Sequence, residues 1–334
     1  MPKSYEQLTN RGQVRRLRQL ALNALQHYDL DVTRLSLINN GFNGIFRVDT
    51  RSGEKYMLRV TLPEGGHTRQ HVAAELAWLA ALARDTDLSV PAPLPARDGS
   101  CIVEASAPGV PQPRLCEVFS WVPGGNLAEC LTPLNLARLG ALMARLHQHA
   151  LAFAPPDGLD LLRYDRVFHF EEPVLLFEER MAPLISPERR ALFQQAVDWA
   201  QRSIKRLQAC GEPMRILHGD LHQWNVLVYR GVLSPIDFED LMWGWPVQDI
   251  ATTLYYFFKE SEFEERRAAF QKGYTSVSPW PERFADEIDS FIASRALDMA
   301  NFVLQTPNPD FSSDTPAFLE RIEARLRRLL EKRL

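Results

Sequence analysis

The chain has 334 residues, of which 46% are hydrophobic and 24% charged, and its formal net charge is −4. This length is natural for two lobes, and the mild negative charge argues against general affinity for nucleic acid. No apolar run is long enough to span a bilayer, and the start Met1-Pro2-Lys3-Ser4 is unlike a signal peptide, so we expect a cytoplasmic protein. Four scattered cysteines indicate neither a disulfide framework nor a zinc site.

The first predicted elements are three strands over residues 34–39, 45–50 and 55–61. The turn between the first two contains Gly41, Asn43 and Gly44. Glycine and asparagine tolerate positive φ and let backbone amides approach phosphates closely, which suits a phosphate-covering hairpin. The same residues also fit a plain hairpin turn.

A helix follows at residues 70–80, where apolar side chains recur at helical spacing around Glu75. Residues 101–104 and 115–122 predict two more strands. The second of them is followed by Pro123-Gly124-Gly125, a breaker cluster that suits a hinge between two lobes. We therefore predict an N-terminal lobe over residues 1–120 and a C-terminal lobe over 121–334.

The second lobe is predicted to be mainly helical. Thr132 and Ser186 are each followed by a proline, which places an N-cap and a first-turn proline at the start of two helices. Further helical patterns open near Trp243 and cover about 283–305 and 316–333. The basic amphipathic face of the last one fits a solvated surface over a core stripe better than a membrane or nucleic-acid contact.

The most informative segments are residues 217–225, Leu-His-Gly-Asp-Leu-His-Gln-Trp-Asn, and residues 234–240, Ser-Pro-Ile-Asp-Phe-Glu-Asp. Phosphoryl transfer from ATP needs a group that orients a hydroxyl nucleophile and two oxygen ligands for magnesium. Asp220 suits the first role, and Asn225 and Asp237 suit the second. Residues 226–236 predict a hairpin that would return Asp237 beside Asn225.

This His-x-Asp-x-x-x-x-Asn pattern with a following Asp-Phe resembles the catalytic and metal loops of the protein-kinase-like superfamily. Within it, His-Gly-Asp-Leu-His-x-x-Asn is similar to the aminoglycoside phosphotransferase family, which includes choline, homoserine and hydroxylysine kinases. The resemblance implies a bilobal α+β fold, with an N-terminal antiparallel sheet carrying one main helix and a larger, mainly helical C-terminal lobe. It also implies ATP and Mg²⁺ as cofactors.

The resemblance further assigns roles to single residues. Arg59 lies where the superfamily usually has its phosphate-binding lysine, and its expected partner is Glu75. ATP is expected between the lobes, with the 39–44 turn over its phosphates and the segment containing Phe119 and Trp121 at the adenine edge. From the residues alone, His218 is expected to support the loop by packing and hydrogen bonding, and Asp249 to brace the loop or cap the following helix, with direct catalysis as the alternative. A mixed acidic and aromatic acceptor pocket is predicted from Trp224, Glu239, Asp240, Trp243 and Trp245.

The acceptor hydroxyl is predicted to belong to a small molecule of amino alcohol, amino acid or aminoglycoside type. Only a dozen residues separate Asp237 from Asp249, so the long activation segment of regulated protein kinases has no room. Residues 244–250 are also similar to bacterial stress-response kinases, so a Ser/Thr protein kinase is the alternative. A nucleotide-binding pseudokinase, disabled at Arg59, is a third possibility.

Overall fold

The computed structural model describes residue 5 and residues 7–61, 68–159, 161–170, 172–257, 261–306 and 312–332. It divides into two compact units, Met1–Gly124 with Pro155–Asp160, and Gly125–Ala154 with Leu161–Leu334. The start of the chain on which the leader prediction rested lies outside the described residues. Within the described ranges, none of the helices combines the length and apolar character that crossing a bilayer requires.

The first unit is an antiparallel sheet with two helices. Its strands pair in the order β1-β2-β3-β6-β4, with β5 also on β6. The elements are α1 (Asn10–Leu25), β1 (Val32–Asn40), β2 (Asn43–Thr50), β3 (Lys55–Thr61), α2 (Arg69–Asp85), β4 (Pro93–Leu94), β5 (Val103–Ala105) and β6 (Arg114–Ser120). The predicted sheet and the predicted helix α2 are confirmed, and α1 is a helix that the sequence analysis did not identify.

The core of this unit lies where α1 covers the sheet. Side chains on β2 alternate between half-buried and buried, as expected for a strand with one face on a core. Leu17 and Leu20 of α1 and Phe46 and Val48 of β2 belong to one cluster and are each at most 1% exposed. α1 is capped by Thr9, whose hydroxyl accepts the Gly12 amide at 3.3 Å.

The second unit is mainly helical, as predicted. Its elements are β7 (Gly125–Asn126), α3 (Pro133–Ala152), β8 (Leu162–Arg163), α4 (Pro187–Ala209), β9 (Arg215–Leu217), β10 (Val226–Tyr229), β11 (Val232–Pro235), β12 (Met242–Gly244), α5 (Pro246–Tyr256), α6 (Phe263–Thr275), α7 (Glu287–Val303) and α8 (Thr315–Glu331). Its described strands form two small sheets, β11-β10-β7 and β8-β12-β9. Among the helices, α6 had not been predicted.

Several element boundaries follow the predicted signals. Thr132 and Ser186 cap α3 and α4 by accepting backbone amides at 3.2 Å, and each helix opens with a proline. The predicted hairpin is β10–β11, which turns at Arg230 and Gly231, both with positive φ. These local signals therefore locate the starts of α3 and α4 and the hairpin that follows residues 218–225.

Candidate active site

The loop of residues 218–225 connects β9 to β10 and is tightly bent at Gly219. This residue has φ of 82°, a region that other L-residues rarely adopt. A Cβ atom at this position would lie 2.1 Å from the carbonyl oxygen of Asp240. Only glycine fits, because the backbone after β11 passes directly against the loop here.

Asp249 braces the loop from the first turns of α5. Its Oδ1 accepts the Gly219 amide at 3.1 Å, and its Oδ2 accepts the His218 amide at 3.3 Å. The same Oδ2 lies 3.1 Å from Nε2 of His147, and the Asp249 side chain is fully buried. These contacts agree with the predicted supporting role.

His218 also supports the loop, as predicted. Its Nε2 lies 3.0 Å from the carbonyl oxygen of Ile236, and its ring packs on Phe238 with the ring centroids 4.5 Å apart. Burial lowers the pKa of His218 below its ordinary value despite the neighbouring Asp249 and Asp220. The neutral ring therefore links the loop to the segment after β11.

Asp220 is held at both carboxylate oxygens. Arg295 of α7 donates from Nη2 to Oδ1 at 2.5 Å, while Nε2 of His222 and Nδ2 of Asn225 both lie 3.2 Å from Oδ2. Arg295 Nη2 also lies 2.9 Å from the Tyr256 hydroxyl. The carboxylate therefore has a fixed orientation, which proton transfer by a side chain requires.

Acidic groups surround this carboxylate. Burial alone raises the pKa of Asp220, but Arg295 and His222 outweigh it, so that the pKa lies below its ordinary value. Asp240 behaves in the opposite way, because burial, Asp220 and Glu239 raise its pKa to about 8. Burial also raises the pKa of Asp298, one turn along α7 from Arg295, well above its usual range. Arg295 thus keeps the charge on Asp220 while neighbouring carboxyls favour the neutral form.

One backbone hydrogen bond connects the two predicted metal ligands indirectly. The Ile236 amide donates to the Asn225 carbonyl at 2.9 Å, which brings the residue before Asp237 against Asn225. Asn225 uses its Nδ2 on Asp220, so its Oδ1 is the atom suited to a cation. Asp237 has φ of 64°, an uncommon conformation for a residue other than glycine. Strained backbone of this kind occurs often at functional sites.

The predicted acceptor wall is only partly assembled by the described contacts. Trp224 is half exposed and packs edge-on against His222 and Tyr256, at centroid distances of 5.4 and 5.7 Å. Trp245, in contrast, is buried, and its indole donates to the Glu212 carbonyl at 2.9 Å. Trp245 is therefore a core residue before α5, and the prediction for it is corrected. Trp243 lies in β12, where its backbone pairs with β8 and β9.

In the first unit, Arg59 joins two glutamates. It donates from Nη1 and Nη2 to the two oxygens of Glu75 at 3.0 and 2.6 Å, and from Nε to Glu117 at 3.0 Å. The three residues are at most 4% exposed, and the Arg59 guanidinium carbon lies 5.3 Å from the Phe119 ring centroid. The predicted pairing of Arg59 with Glu75 is confirmed, whereas Glu117 had not been predicted.

The glycines of the 39–44 turn are not held in glycine-only conformations. Gly41 and Gly44 are absent from the described residues with positive φ, and an added Cβ would meet other atoms no closer than 3.6 and 3.5 Å. The two glycines therefore do not use their tolerance of positive φ in this turn. Asn43 opens β2 opposite Thr61, so the ladder starts immediately after the exposed tip.

Of the two residues expected at the adenine edge, Phe119 lies within β6 and Trp121 follows the strand. Phe119 is buried and is paired with Met57 on one side and Pro93 on the other. Trp121 follows the last residue of β6, and the Arg47 guanidinium carbon lies 5.7 Å from its ring centroid. Because its position lies beyond the strand, Trp121 suits a ligand-binding backbone better than Phe119 does.

A sequence profile described as the phosphotransferase enzyme family matches residues 34–285, which include Arg59, Asp220, Asn225 and Asp237. The chain belongs to this family. The predicted membership of a protein-kinase-like phosphotransferase family is thereby confirmed, and the relatives with stated activities are small-molecule kinases.

Two sequence relatives illustrate the similarity. Amicoumacin kinase of Bacillus subtilis is 25% identical over 282 residues, which cover 80% of this chain and 77% of the relative. Hydroxylysine kinase of Bos taurus is 26% identical over 163 residues, covering 44% of this chain and 42% of the relative. The matched lengths show that the resemblance extends well beyond the catalytic loop.

Solved structures confirm the fold. A microcompartment-associated aminopropanol kinase has a TM-score of 0.76 at 24% identity, covering 94% of this chain and 98% of the other. An amicoumacin kinase in complex with AMP-PNP, Ca²⁺ and Ami has a TM-score of 0.74 at 19% identity, covering 95% and 96%. The bilobal kinase-like fold class predicted from the sequence is therefore correct.

Proposed function

We propose that this protein transfers the γ-phosphate of ATP to a hydroxyl group of a small molecule that also carries an amino group. The observation that carries the proposal is the Asp220 carboxylate, held at both oxygens in a loop that also presents Asn225. Family membership supports the phosphotransferase chemistry. The acceptor is assigned from the charges around Asp220.

Asp220 is proposed to orient the acceptor hydroxyl and to accept its proton as the acceptor oxygen bonds to the γ-phosphorus. The bond between that phosphorus and the leaving oxygen breaks, and ADP carries away its electron pair. Because Arg295 lowers the pKa of Asp220, the carboxylate is in its proton-accepting form at neutral pH. Most of the rate enhancement then comes from positioning and charge neutralisation, with no covalent enzyme intermediate.

Asn225 Oδ1 and the Asp237 carboxylate are proposed to hold Mg²⁺. Both are hard oxygen donors, and Mg²⁺ commonly uses one or two protein ligands together with phosphate and water. When bound, the ion would neutralise charge on the ATP phosphates. The strained backbone at Asp237 and the use of Asn225 Nδ2 on Asp220 both support these ligand assignments.

For the first unit, we propose that Arg59 contacts ATP phosphate oxygens. A guanidinium can contact phosphate oxygens bidentately and stays charged at all relevant pH. The amides around Gly41, Asn43 and Gly44 are proposed to cover the phosphates. The backbone at Trp121, rather than that of Phe119, is proposed to bind the adenine edge.

An amino group on the acceptor is supported by the chemistry near Asp220. Asp240 and Asp298 are carboxyls with raised pKa values, and a bound ammonium group would favour their charged forms. Trp224 and Tyr256 add aromatic faces that attract cations. The names of the similar hydroxylysine and aminopropanol kinases also describe amino-bearing acceptors.

The proposal is tested by following the label of γ-³²P-ATP with Mg²⁺ and a panel of amino alcohols, hydroxy amino acids, aminoglycosides and generic protein acceptors. We expect label on one class of small amine, lost in Asp220→Ala but kept in Asp198→Ala, which removes an exposed aspartate of α4. Label on proteins alone would instead support the stress-kinase alternative. No transfer above the Asp220→Ala background would support a pseudokinase.

A further inference from the structure

Arg59 forms an ion pair with Glu117 in addition to the predicted pair with Glu75. Strand register places Glu117 of β6 directly opposite Arg59 of β3, so both side chains lie on one face of the sheet. Glu75 of α2 covers the same face. Arg59, Glu75 and Glu117, from three separate elements, therefore meet on this face.

The contacts divide the guanidinium between the two glutamates. The two Nη atoms form a parallel pair of bonds with Glu75, whereas the Nε, on another edge of the group, bonds Glu117. A lysine ammonium concentrates its three donors on a single nitrogen and has no equivalent of this second edge. It cannot form both the parallel pair with Glu75 and the separate Nε bond with Glu117.

Because the site is buried, the difference between arginine and lysine should affect the stability of the ion pairs. Glu117 is 0% exposed and Arg59 4% exposed, so a carboxylate that lost the guanidinium would lose an ion-pair partner away from water. Phe119, two residues along β6, shields the same guanidinium with its ring. The surroundings of Arg59 are therefore built for a planar cation with two bonding edges.

We propose that Glu117 is a positioning residue that makes arginine, rather than lysine, the working cation at position 59. This inference rests on the proposed contact of Arg59 with nucleotide phosphates. Glu117 fixes the Nε edge, Glu75 fixes the Nη edge, and together they set the plane in which the guanidinium meets a phosphate. Removing Glu117 relieves the requirement for arginine.

The test is a set of four variants: Arg59→Lys, Glu117→Gln, Arg59→Lys with Glu117→Gln, and Arg59→Lys with Glu75→Gln. Binding of Mg·AMP-PNP, which needs no acceptor, is measured by calorimetry, and thermal unfolding is measured on the same proteins. We expect Arg59→Lys to weaken nucleotide binding by at least about tenfold, since it breaks a buried charge pair. Adding Glu117→Gln should recover at least about fivefold of that loss, and it should also raise the unfolding midpoint.

The Glu75 double variant is the matched control. It also removes one carboxylate, but the lysine then keeps only Glu117, so we expect no recovery of nucleotide affinity. Arg59→Lys that binds AMP-PNP like the wild type, or two substitutions whose effects simply add, would overturn the inference. If the wild type binds Mg·AMP-PNP, recovery of the unfolding midpoint without recovery of affinity would also overturn it, because Glu117 would then be structural only.

Failure of the proposed function gives a different pattern. A wild-type protein that does not bind Mg·AMP-PNP would contradict the phosphate role of Arg59. The unfolding midpoints would still decide whether Glu117 imposes arginine at position 59, because coupling between the two substitutions does not depend on nucleotide. Additive midpoints would then overturn the inference separately.

Discussion

Two glycine-containing segments that the sequence assigns to phosphoryl transfer differ in how they are held. The 218–225 loop is fixed by buried contacts from Asp249 and by a close backbone approach at Gly219. The 39–44 turn is open, with Phe42 at its tip 49% exposed and with space for a Cβ at Gly41 and Gly44. Folding therefore requires glycine in the loop, whereas any requirement for glycine in the turn must come from ligand binding.

The largest expected effect is that of Asp249→Ala, which removes the brace of the loop. We expect a loss of roughly 3–5 kcal/mol in the free energy of unfolding, because two backbone amides and His147 lose a buried acceptor. Urea unfolding and phosphoryl transfer would both report the change. Asp198→Ala, at an exposed aspartate, should change stability by less than about 0.5 kcal/mol. Equal effects at the two positions would contradict the inference that Asp249 stabilises the 218–225 loop.

Next in size is Gly219→Ala. The positive φ and the close approach of the Asp240 carbonyl should together destabilise the fold by at least about 2 kcal/mol. Gly211→Ala is the matched control, because Gly211 has φ of 65° but no atom within 4 Å of an added Cβ. Its cost should be limited to about 1–2 kcal/mol of backbone strain. If Gly219→Ala were no more destabilising than Gly211→Ala in urea unfolding, the close approach of the Asp240 carbonyl would not contribute to the cost.

Arg295→Gln tests the charged contact that holds the same loop from α7. We expect the turnover number to fall roughly tenfold to a hundredfold, because Asp220 loses the guanidinium that fixes its Oδ1. Binding of Mg·AMP-PNP should stay within about twofold of wild type, since Arg295 contacts the carboxylate and not the proposed metal ligands. Arg325→Gln is the control, because that guanidinium carbon lies 4.1 Å from the ring centroid of Tyr255, the neighbour of Tyr256. A comparable loss of turnover in both variants would indicate a general packing effect.

The acidic groups around the loop predict that the free energy of unfolding depends on pH. Burial and Asp220 raise the pKa of Asp240 from its ordinary value to about 8. The folded protein then binds more protons than the unfolded chain between about pH 4 and 8, so this group's contribution to stability is complete at low pH and is lost as pH rises. In metal-free buffer, Asp240→Asn should flatten that decline by about 1 kcal/mol or more between pH 5 and 8. An unchanged slope would contradict the raised pKa.

Sequence reasoning found the site residues that short motifs along the chain or the family resemblance identify. The order of Asp220, Asn225 and Asp237 depends on short spacing along the chain, whereas the pairing of Arg59 with Glu75 was expected from the family resemblance. Glu117 was missed because only strand register places it opposite Arg59, although an acid within the apolar run 115–119 was an available signal. Arg295 was missed because it contacts Asp220 from a position 75 residues away.

The smallest stability effects are expected at Gly41→Ala and Gly44→Ala, which test whether the glycines of the turn serve nucleotide binding alone. Neither glycine has the positive φ that would strain alanine, and both have room for a methyl group, so unfolding should change by less than about 1 kcal/mol. If the backbone amides of the turn cover phosphates, a methyl group at their surface should still weaken Mg·AMP-PNP binding by about threefold or more. Calorimetry with AMP-PNP separates the two effects. Unchanged affinity in both variants would mean that the turn is an ordinary hairpin, and that these glycines serve neither folding nor nucleotide binding.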